Sequence, residues 1–425
     1  MLTNEIKNAY ISILREELIP ATGCTEPIAL AYAAARLREV LRAMPERIRA
    51  EVSGNIVKNV KSVVVPNTGG MKGIPAAIAA GAAAGDAGKI LQVIASVPAE
   101  KHADIAAFIR DVPIEVVCAD TTRILDIKLT GWAGEHSALV QIANSHSNIV
   151  REERDGEVLL EKPVSDSPED NLTDKSVLKV ADILEFADTV ELDGISDLLE
   201  QQISCNTAIA EEGLKNNWGA NIGSILLRDY PQDVKTEAKA WAAAGSDARM
   251  SGCEMPVVIL SGSGNQGITA SVPLARYAEH LGVSREKLYR ALLVSDLVTI
   301  HQKSGIGRLS AYCGAVSAGV GAGAGIAYLL DGCYEAVAHT IVNAVAIISG
   351  TICDGAKPSC AAKIAASVDA GILGYHMYHG GQEFKGGDGI VTKGVDNTIA
   401  NIGILAKEGM RQTDRTILEI MTEQR

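Results

Sequence analysis

A chain of 425 residues is long enough for two domains and a large core. The apolar fraction is 47% but only 4% of residues are aromatic and 41 are glycine, so that core must be built from small residues that let helices approach closely. A net charge of −13, with no block of Lys and Arg, argues against nucleic acid as the main partner.

The opening MLTNEIKNAYISILREEL has the spacing of an amphipathic helix and no basic region followed by an apolar one, which excludes an ordinary signal peptide. The spacing predicts a helix over 3–19, stopped by Pro20, then the segment ATGCTEP and an Ala/Leu-rich helix to about Met44. Thr25-Glu26-Pro27 is a good helix start: a capping hydroxyl, an acid in the first turn and a proline where no N–H is needed. Cys24 therefore stands just before a helix N-terminus, a setting that lowers a thiol pKa and suits a base or nucleophile. A buried cysteine behind a helix cap is the competing reading.

From Ile48 the pattern turns to β in RIRAEVSGNIVKN and KSVVVPNTGG, followed by a small-residue helix. Lys89–Val97 reads as a strand and Glu100–Val112 as a helix. The alternating segments IEVVCAD, ILDIKLTGW, HSALVQIAN, NIVREERDG and EVLLEKP predict an antiparallel meander with one wet face. The polar run 165–176 is the best linker, so the expected division is an antiparallel β/α unit over 1–170 and a mostly helical Gly/Ala-rich unit over 171–425, an α+β fold. Helices are expected around 286–302, 314–330, 333–350, 359–371 and 408–424, and a long Gly-rich loop over 376–397. Ala311–Leu330 carries no charge, but its Gly/Ala/Ser/Val content fits a buried helix better than a membrane span, so a soluble, cytoplasmic protein without a membrane partner is expected.

Residues 257–268 (VVILSGSGNQGI) echo 63–74 (VVVPNTGGMKGI) at Val63, Val64, Gly70, Gly73 and Ile74. GSGNQG satisfies G-x-G-x-x-G, yet no βαβ unit surrounds it. A backbone nest with donors from Ser261, Ser263, Asn265 and Gln266, suited to a carboxylate, is preferred, with Asn67 and Thr68 as its echo. A plain packing turn has equal weight. Cys313, Cys353 and Cys360 lie in an uncharged Gly/Ala-rich region and suit a buried soft metal or cluster. Small core residues are the alternative, since a single Cys-x6-Cys pair is no zinc signature. Cys118, Cys205, Cys253 and Cys333 read as core. His376 and His379, at i and i+3, could bind metal, although such pairs are more often polar loop residues. Lys303 and Lys357 look like Schiff-base lysines, without the fold that would accompany them.

Taken together, ATGCTEPIA, SGSGNQGI, YCGAVSAG, ICDGAKPSCA and GDGIVTKGVDNTIANIG, in that order, resemble the L-cysteine desulfidases, relatives of the iron–sulfur L-serine dehydratases. The resemblance implies a [4Fe–4S] cluster held by Cys313, Cys353 and Cys360. It puts Cys24 where the desulfidases keep their base, and SGSGNQG where the dehydratases keep a substrate loop. The gap between the last two cysteines is shorter here than in the dehydratases. The implied activity is β-elimination of L-cysteine, a small amino-acid substrate, to pyruvate, ammonia and sulfide, with an open cluster iron as Lewis acid. Two readings stay open beside it: a dehydratase-like lyase acting on another small β-substituted amino or hydroxy acid, and a non-catalytic cluster-binding or redox-sensing protein. A homo-oligomer is compatible with all three.

Overall fold

The computed structural model describes residues 2–22, 25–121, 123–164, 172–307 and 310–422. Its first part contains α1 (Asn4–Glu17), β1 (Ile19–Thr22), α2 (Thr25–Leu41), β2 (Arg47–Val52), α3 (Gly54–Val60), α4 (Gly73–Ala84), α5 (His102–Asp111) and strands β3 (Ile114–Cys118), β4 (Asp126–Ala133), β5 (His136–Ala143), β6 (Ile149–Arg154) and β7 (Glu157–Glu161). The second part is helical: α6 (Val180–Thr189), α7 (Ser196–Lys215), α8 (Ile222–Asp229), α9 (Val234–Met250), then β8 (Pro256–Ile259), α10 (Gly264–Leu281), α11 (Arg285–Ile306), α12 (Gly314–Leu330), α13 (Tyr334–Ile348), α14 (Ser359–His379), α15 (Val395–Ile404) and α16 (Arg411–Thr422). This is the α+β architecture expected, an N-terminal sheet followed by a helical region.

Six strands pair in the order β3-β2-β4-β5-β6-β7. All contacts are antiparallel except β2 with β3, which run parallel because three helices intervene in the chain between them. Alternate residues of β4 and β5 turn inward and bury Ile127, Leu129, Val140 and Ile142. The run Ala29–Ala35 of α2 is buried on every side, as a helix without a polar face must be. α4 crosses it so closely that a Cβ on Gly81 would lie 1.9 Å from the Ala31 carbonyl oxygen.

Two sequence expectations are corrected. Lys89–Val97 is not a strand: Asp86 accepts from the Gly88 N–H, and the Lys89 and Val93 N–H groups donate to Asp86 and Ile90. These tight turns consume the donors a strand would offer, and they leave Ile90 exposed at φ 50°. α14 continues to His379, so the Gly-rich loop begins at Gly380 and both His376 and His379 lie in the last helical turn. There the Tyr375 ring stacks on His379 with centroids 5.8 Å apart.

α12 runs through the middle of the helical region, packed against α10, α11, α13 and α14. Its glycines fall on two faces. Cβ atoms on Gly319 and Gly323 would come within 2.5 Å of Ser367 and 2.6 Å of Gly371 on α14. Those on Gly321 and Gly325 would come within 2.1 Å of Thr299 on α11 and 2.5 Å of Leu274 on α10. Among the described residues no helix is long and apolar enough to cross a membrane. α1 buries Tyr10, Ile13 and Leu14 in the same core as α12, so the N-terminal helix packs with the second part of the chain.

Between α7 and α11, Gln202 Nε2 donates to Asp296 Oδ1 at 2.9 Å. Gln202 Oε1 and Asp296 Oδ2 have no other partner among the described residues. Burial pushes the Asp296 carboxyl up to about 7. Burial favours the neutral carboxylic acid at Asp296, and its proton would be a donor for an oxygen that otherwise has none.

Two predictions follow from this packing. Gly323→Val forces α12 away from α14 and should cost about 1–3 kcal/mol, seen as a lower Tm; an unchanged Tm would contradict the close approach. For Asp296 the folded pKa lies above the unfolded one, so the stability it contributes is complete below about pH 4 and is lost as the pH rises through about 7. The stability difference between wild type and Asp296→Asn, measured by urea unfolding, should therefore shift in favour of the variant across that window. A pH-independent difference would show that Asp296 is not protonated.

Candidate active site

β1 pairs antiparallel with β8, Ile19 opposite Ile259 and Thr22 opposite Pro256. The register sets Ile19, at the start of β1, beside Ile259 and the turn that follows β8. In the turn, Ser261 and Gly262 take φ 47° and 75°, and Leu260 and Ser263 exchange backbone hydrogen bonds at 3.0 and 3.1 Å. That is a type I′ turn, which gives the second residue to glycine and places a helix start directly after it. The short β8 runs antiparallel to its neighbour, so GSGNQG is not the turn of a dinucleotide-binding βαβ unit.

Beneath the turn lies a cavity of about 360 Å³. Ser261, Gly262, Ser263, Asn265 and Gln266 form one wall, joined by Arg249 from the end of α9. Glu26 of α2 and Asn55, Lys58 and Asn59 of α3 form another. The β5–β6 turn adds Asn144, Ser145 and His146, and α11 adds Lys303.

Cys313, Cys353 and Cys360 also line it. Tyr312 and Ile352 form an antiparallel bridge, and the Cys313 N–H donates to Thr351 O at 3.0 Å, which sets Cys313 and Cys353 side by side. Cys313 is the N-cap of α12, and Cys360 sits in the first turn of α14. Both helix dipoles therefore favour negative charge at these sulfurs. The hydrogen bond from Cys313 to Cys353 raises the Cys313 thiol, which burial raises further, and lowers that of Cys353 against the opposing effect of burial. Lys58 and Lys303 lower Cys353 further. Burial raises Cys360, which the Lys357 N–H and the Lys357 and Lys363 ammonium groups partly offset.

Three thiols are a soft donor set of the kind that holds iron–sulfur clusters, and the lysines beside them would offset the charge they would carry as ligands. Among the described residues no three His, Cys, Asp or Glu side chains converge on a point that would hold a single metal ion. A four-iron cluster would instead take each thiolate on a different iron, so it would not need three donors on one point.

The cavity thus gathers Ser261, Ser263, Asn265, Gln266 and the three cysteines. Asn67 and Thr68 are not among its lining residues. Asn67 Nδ2 donates to Ile94 O and Ala95 O at 3.1 and 3.2 Å, and Thr68 Oγ1 to Val65 O at 2.7 Å, so their polar groups serve their own loop. That loop repeats the local form of its echo, a positive-φ turn at Asn67 leading to a helix start at Gly73, but not its position. Cys24 lies outside the described residues; α2 starts at Thr25, and Glu26 lines the cavity. Of the cysteines read as core, Cys253 is buried, Cys118 and Cys205 are half-buried, and Cys333 is exposed because its sulfur caps the Ala336 N–H of α13.

Sequence reading missed Glu26, Lys58, His146 and Arg249 as cavity residues. Thr25-Glu26-Pro27 showed only a helix start, ANSHSN only a turn and DARM only a helix end. Lys58 did leave a signal, a lone lysine inside the apolar NIVKNV, where it is 3% exposed and ion-paired with Asp414 of α16.

A profile of the serine dehydratase alpha chain matches residues 89–419. The chain belongs to the serine dehydratase alpha chain family. The three cysteines and the 261–266 turn fall inside the matched span, and Cys24 before it. A UPF0597 protein of Desulfitobacterium hafniense is 57% identical over 415 residues, covering 98% of this chain and 96% of its own length. Similar proteins from Lachnoclostridium phytofermentans and Treponema denticola are 50% identical over 411 residues and 47% over 420 residues. Each covers 97% of this chain, and the match spans 98% and 97% of their own lengths.

Lys58 ties the cavity wall to the C-terminal helix. Lys58→Met removes the cation from Asp414 and should cost about 1–3 kcal/mol, with faster amide hydrogen exchange over 411–422. Unchanged exchange there would show that the ion pair does not hold α16.

Proposed function

We propose that this serine dehydratase alpha-like chain is an iron–sulfur lyase that removes sulfide from L-cysteine by β-elimination, giving pyruvate and ammonia. The observation that carries the reading is the arrival of Cys313, Cys353 and Cys360, from three separate segments, at one lysine-flanked cavity under the Ser261–Gln266 turn. Those thiolates would hold a [4Fe–4S] cluster, which supplies a Lewis-acidic iron without a protein ligand for the β-substituent.

The rest of the chemistry falls to the chain. Ser261, Ser263, Asn265 and Gln266 position the substrate, with hydroxyl and amide donors beside its carboxylate. Cys24, before the N-terminus of α2, takes the α-proton as a thiolate. Loss of that proton and of the β-sulfur yields aminoacrylate, which tautomerises and hydrolyses to pyruvate and ammonia. The family match favours one second reading, dehydration of L-serine through the same residues, because a β-hydroxyl needs the same base and the same electrophile.

Anaerobic preparation of the protein with iron and sulfide is the test. Wild type should be brown and should release sulfide and pyruvate from L-cysteine. Serine at Cys313, Cys353 or Cys360 should abolish the visible absorbance. Cys24→Ala should keep the colour and lose about 10²–10⁴-fold in turnover. A colourless wild type with full activity would overturn the cluster, full turnover by Cys24→Ala would remove that base, and pyruvate from L-serine without sulfide from L-cysteine would install the second reading.

A further inference from the structure

We infer that Arg249 and Gln266 together read the two charges of a free α-amino acid, Arg249 taking its carboxylate and Gln266 Oε1 its ammonium group. The assignment rests on the proposed function for the identity of the cavity, and goes beyond it in naming what recognises the substrate. Arg249 is 7% exposed and lines the cavity at the end of α9. Its NH1 reaches Asn265 Oδ1 at 3.4 Å, which turns the guanidinium toward the Ser261–Gln266 wall. Gly264 is part of this arrangement. A Cβ there would lie 2.3 Å from Arg249 Nε, so the guanidinium lies against the turn only because that side chain is absent. A guanidinium presents paired N–H donors to a carboxylate, which hydroxyl and amide donors alone do not match in charge.

Gln266 supplies the complementary observation. It is 5% exposed and lines the same wall, and its Oε1 has no partner among the described residues. A Cβ on Gly314 would lie 2.7 Å from its amide carbon, so the side chain is wedged against the start of α12, next to Cys313. An amide oxygen is an acceptor and repels a carboxylate; it needs a donor. In an α-amino acid the carboxyl and ammonium groups share one carbon, so whatever reads both must be neighbours. Arg249 meets Asn265, and Gln266 is the next residue. Hydroxy acids, N-acyl amino acids and amino-acid amides each lack one of the two groups, and the site discriminates against all three.

The test uses calorimetric binding to the anaerobically prepared full chain of three ligands with one side chain: S-methyl-L-cysteine, 3-(methylthio)propionate, which lacks the ammonium group, and 2-(methylthio)ethylamine, which lacks the carboxylate. Wild type should bind the amino acid at least about tenfold more tightly than either analogue, the gap expected of a hydrogen bond to a charged group. Arg249→Gln should erase the gap to the amine and keep the gap to the acid. Gln266→Leu should do the reverse, Arg249→Lys should keep part of the amine gap, and Gly264→Ala, which keeps the Arg249 side chain but pushes its guanidinium off the turn, should narrow that gap. A thermal melt confirms that each variant is folded. Wild-type-like gaps in folded Arg249→Gln and Gly264→Ala would overturn the assignment, as would wild type binding all three ligands alike or none. A wild type that binds with the expected gaps but releases neither sulfide nor pyruvate would sink the proposed function and leave the assignment standing.

Discussion

The backbone approach of α12 to its neighbours is the constraint on which the site depends. Gly319 and Gly323 face α14 while Gly321 and Gly325 face α11 and α10, and at each of these positions a Cβ would overlap the neighbouring helix. Cys313 caps the start of α12 and Cys360 stands in the first turn of α14. The contacts that hold these helices together therefore also fix the separation of two thiols. The Tyr312–Ile352 bridge adds the third by tying the segment after α13 to the segment before α12. A looser helix pair of larger side chains would let the thiols drift, and the cluster proposed for them would depend on rigid placement.

The second link runs between distant parts of the chain. α1 packs in the helical core, β1 pairs with β8, and α16 returns to α3 through Lys58–Asp414 and the contact of Leu418 with Gly54. These three connections clamp the sheet part onto the helical part around the cavity. Each side brings something the other lacks: the helical part the thiols and the Ser261–Gln266 turn, the sheet part Glu26, Asn59 and His146.

Much of the fold was legible where composition left one solution. Residues 314–330 carry no charge and little bulk, and they form the central buried helix with those bounds. The strands β4 to β7 form the antiparallel meander expected, with clear period-two burial in β4 and β5, whereas β3, expected in it, pairs parallel with β2. Lys89–Val97 misled because an apolar run says nothing about whether a neighbouring strand exists to pair with it. The thiol set could be read as a set from its chemistry, although its spacing left core packing open and only the resemblance narrowed it. Arg249 could not be read at all. One arginine at the end of an alanine-rich helix has no pattern, and its place beside Gly264 comes from the crossing of α9 and α10. Asn67 and Thr68 show the opposite failure, a true local likeness to 261–266 with no share in the cavity.

The amino-acid reading proposed above turns on the local charge of the cavity and not on the net charge of the chain. The chain as a whole is acidic, with a net charge of −13, while the cavity lining sets Lys58, Lys303 and Arg249 among Glu16, Glu17 and Glu26, and Lys357 and Lys363 act on Cys360 from beside it. At about 0.15 M salt, charges more than about 8 Å apart across water are largely screened, so a ligand entering the cavity responds to these lining groups and not to the distant charges. Asp354 pairs with Lys357 and Lys363 and restrains the excess. In the proposed reading, Lys303 and Arg249 would serve two anions together: cluster-bound thiolates, which would otherwise be costly to bury, and the carboxylate of the substrate. A cavity of about 360 Å³ is at the small end of ligand sites, so the molecule that satisfies these groups is itself small.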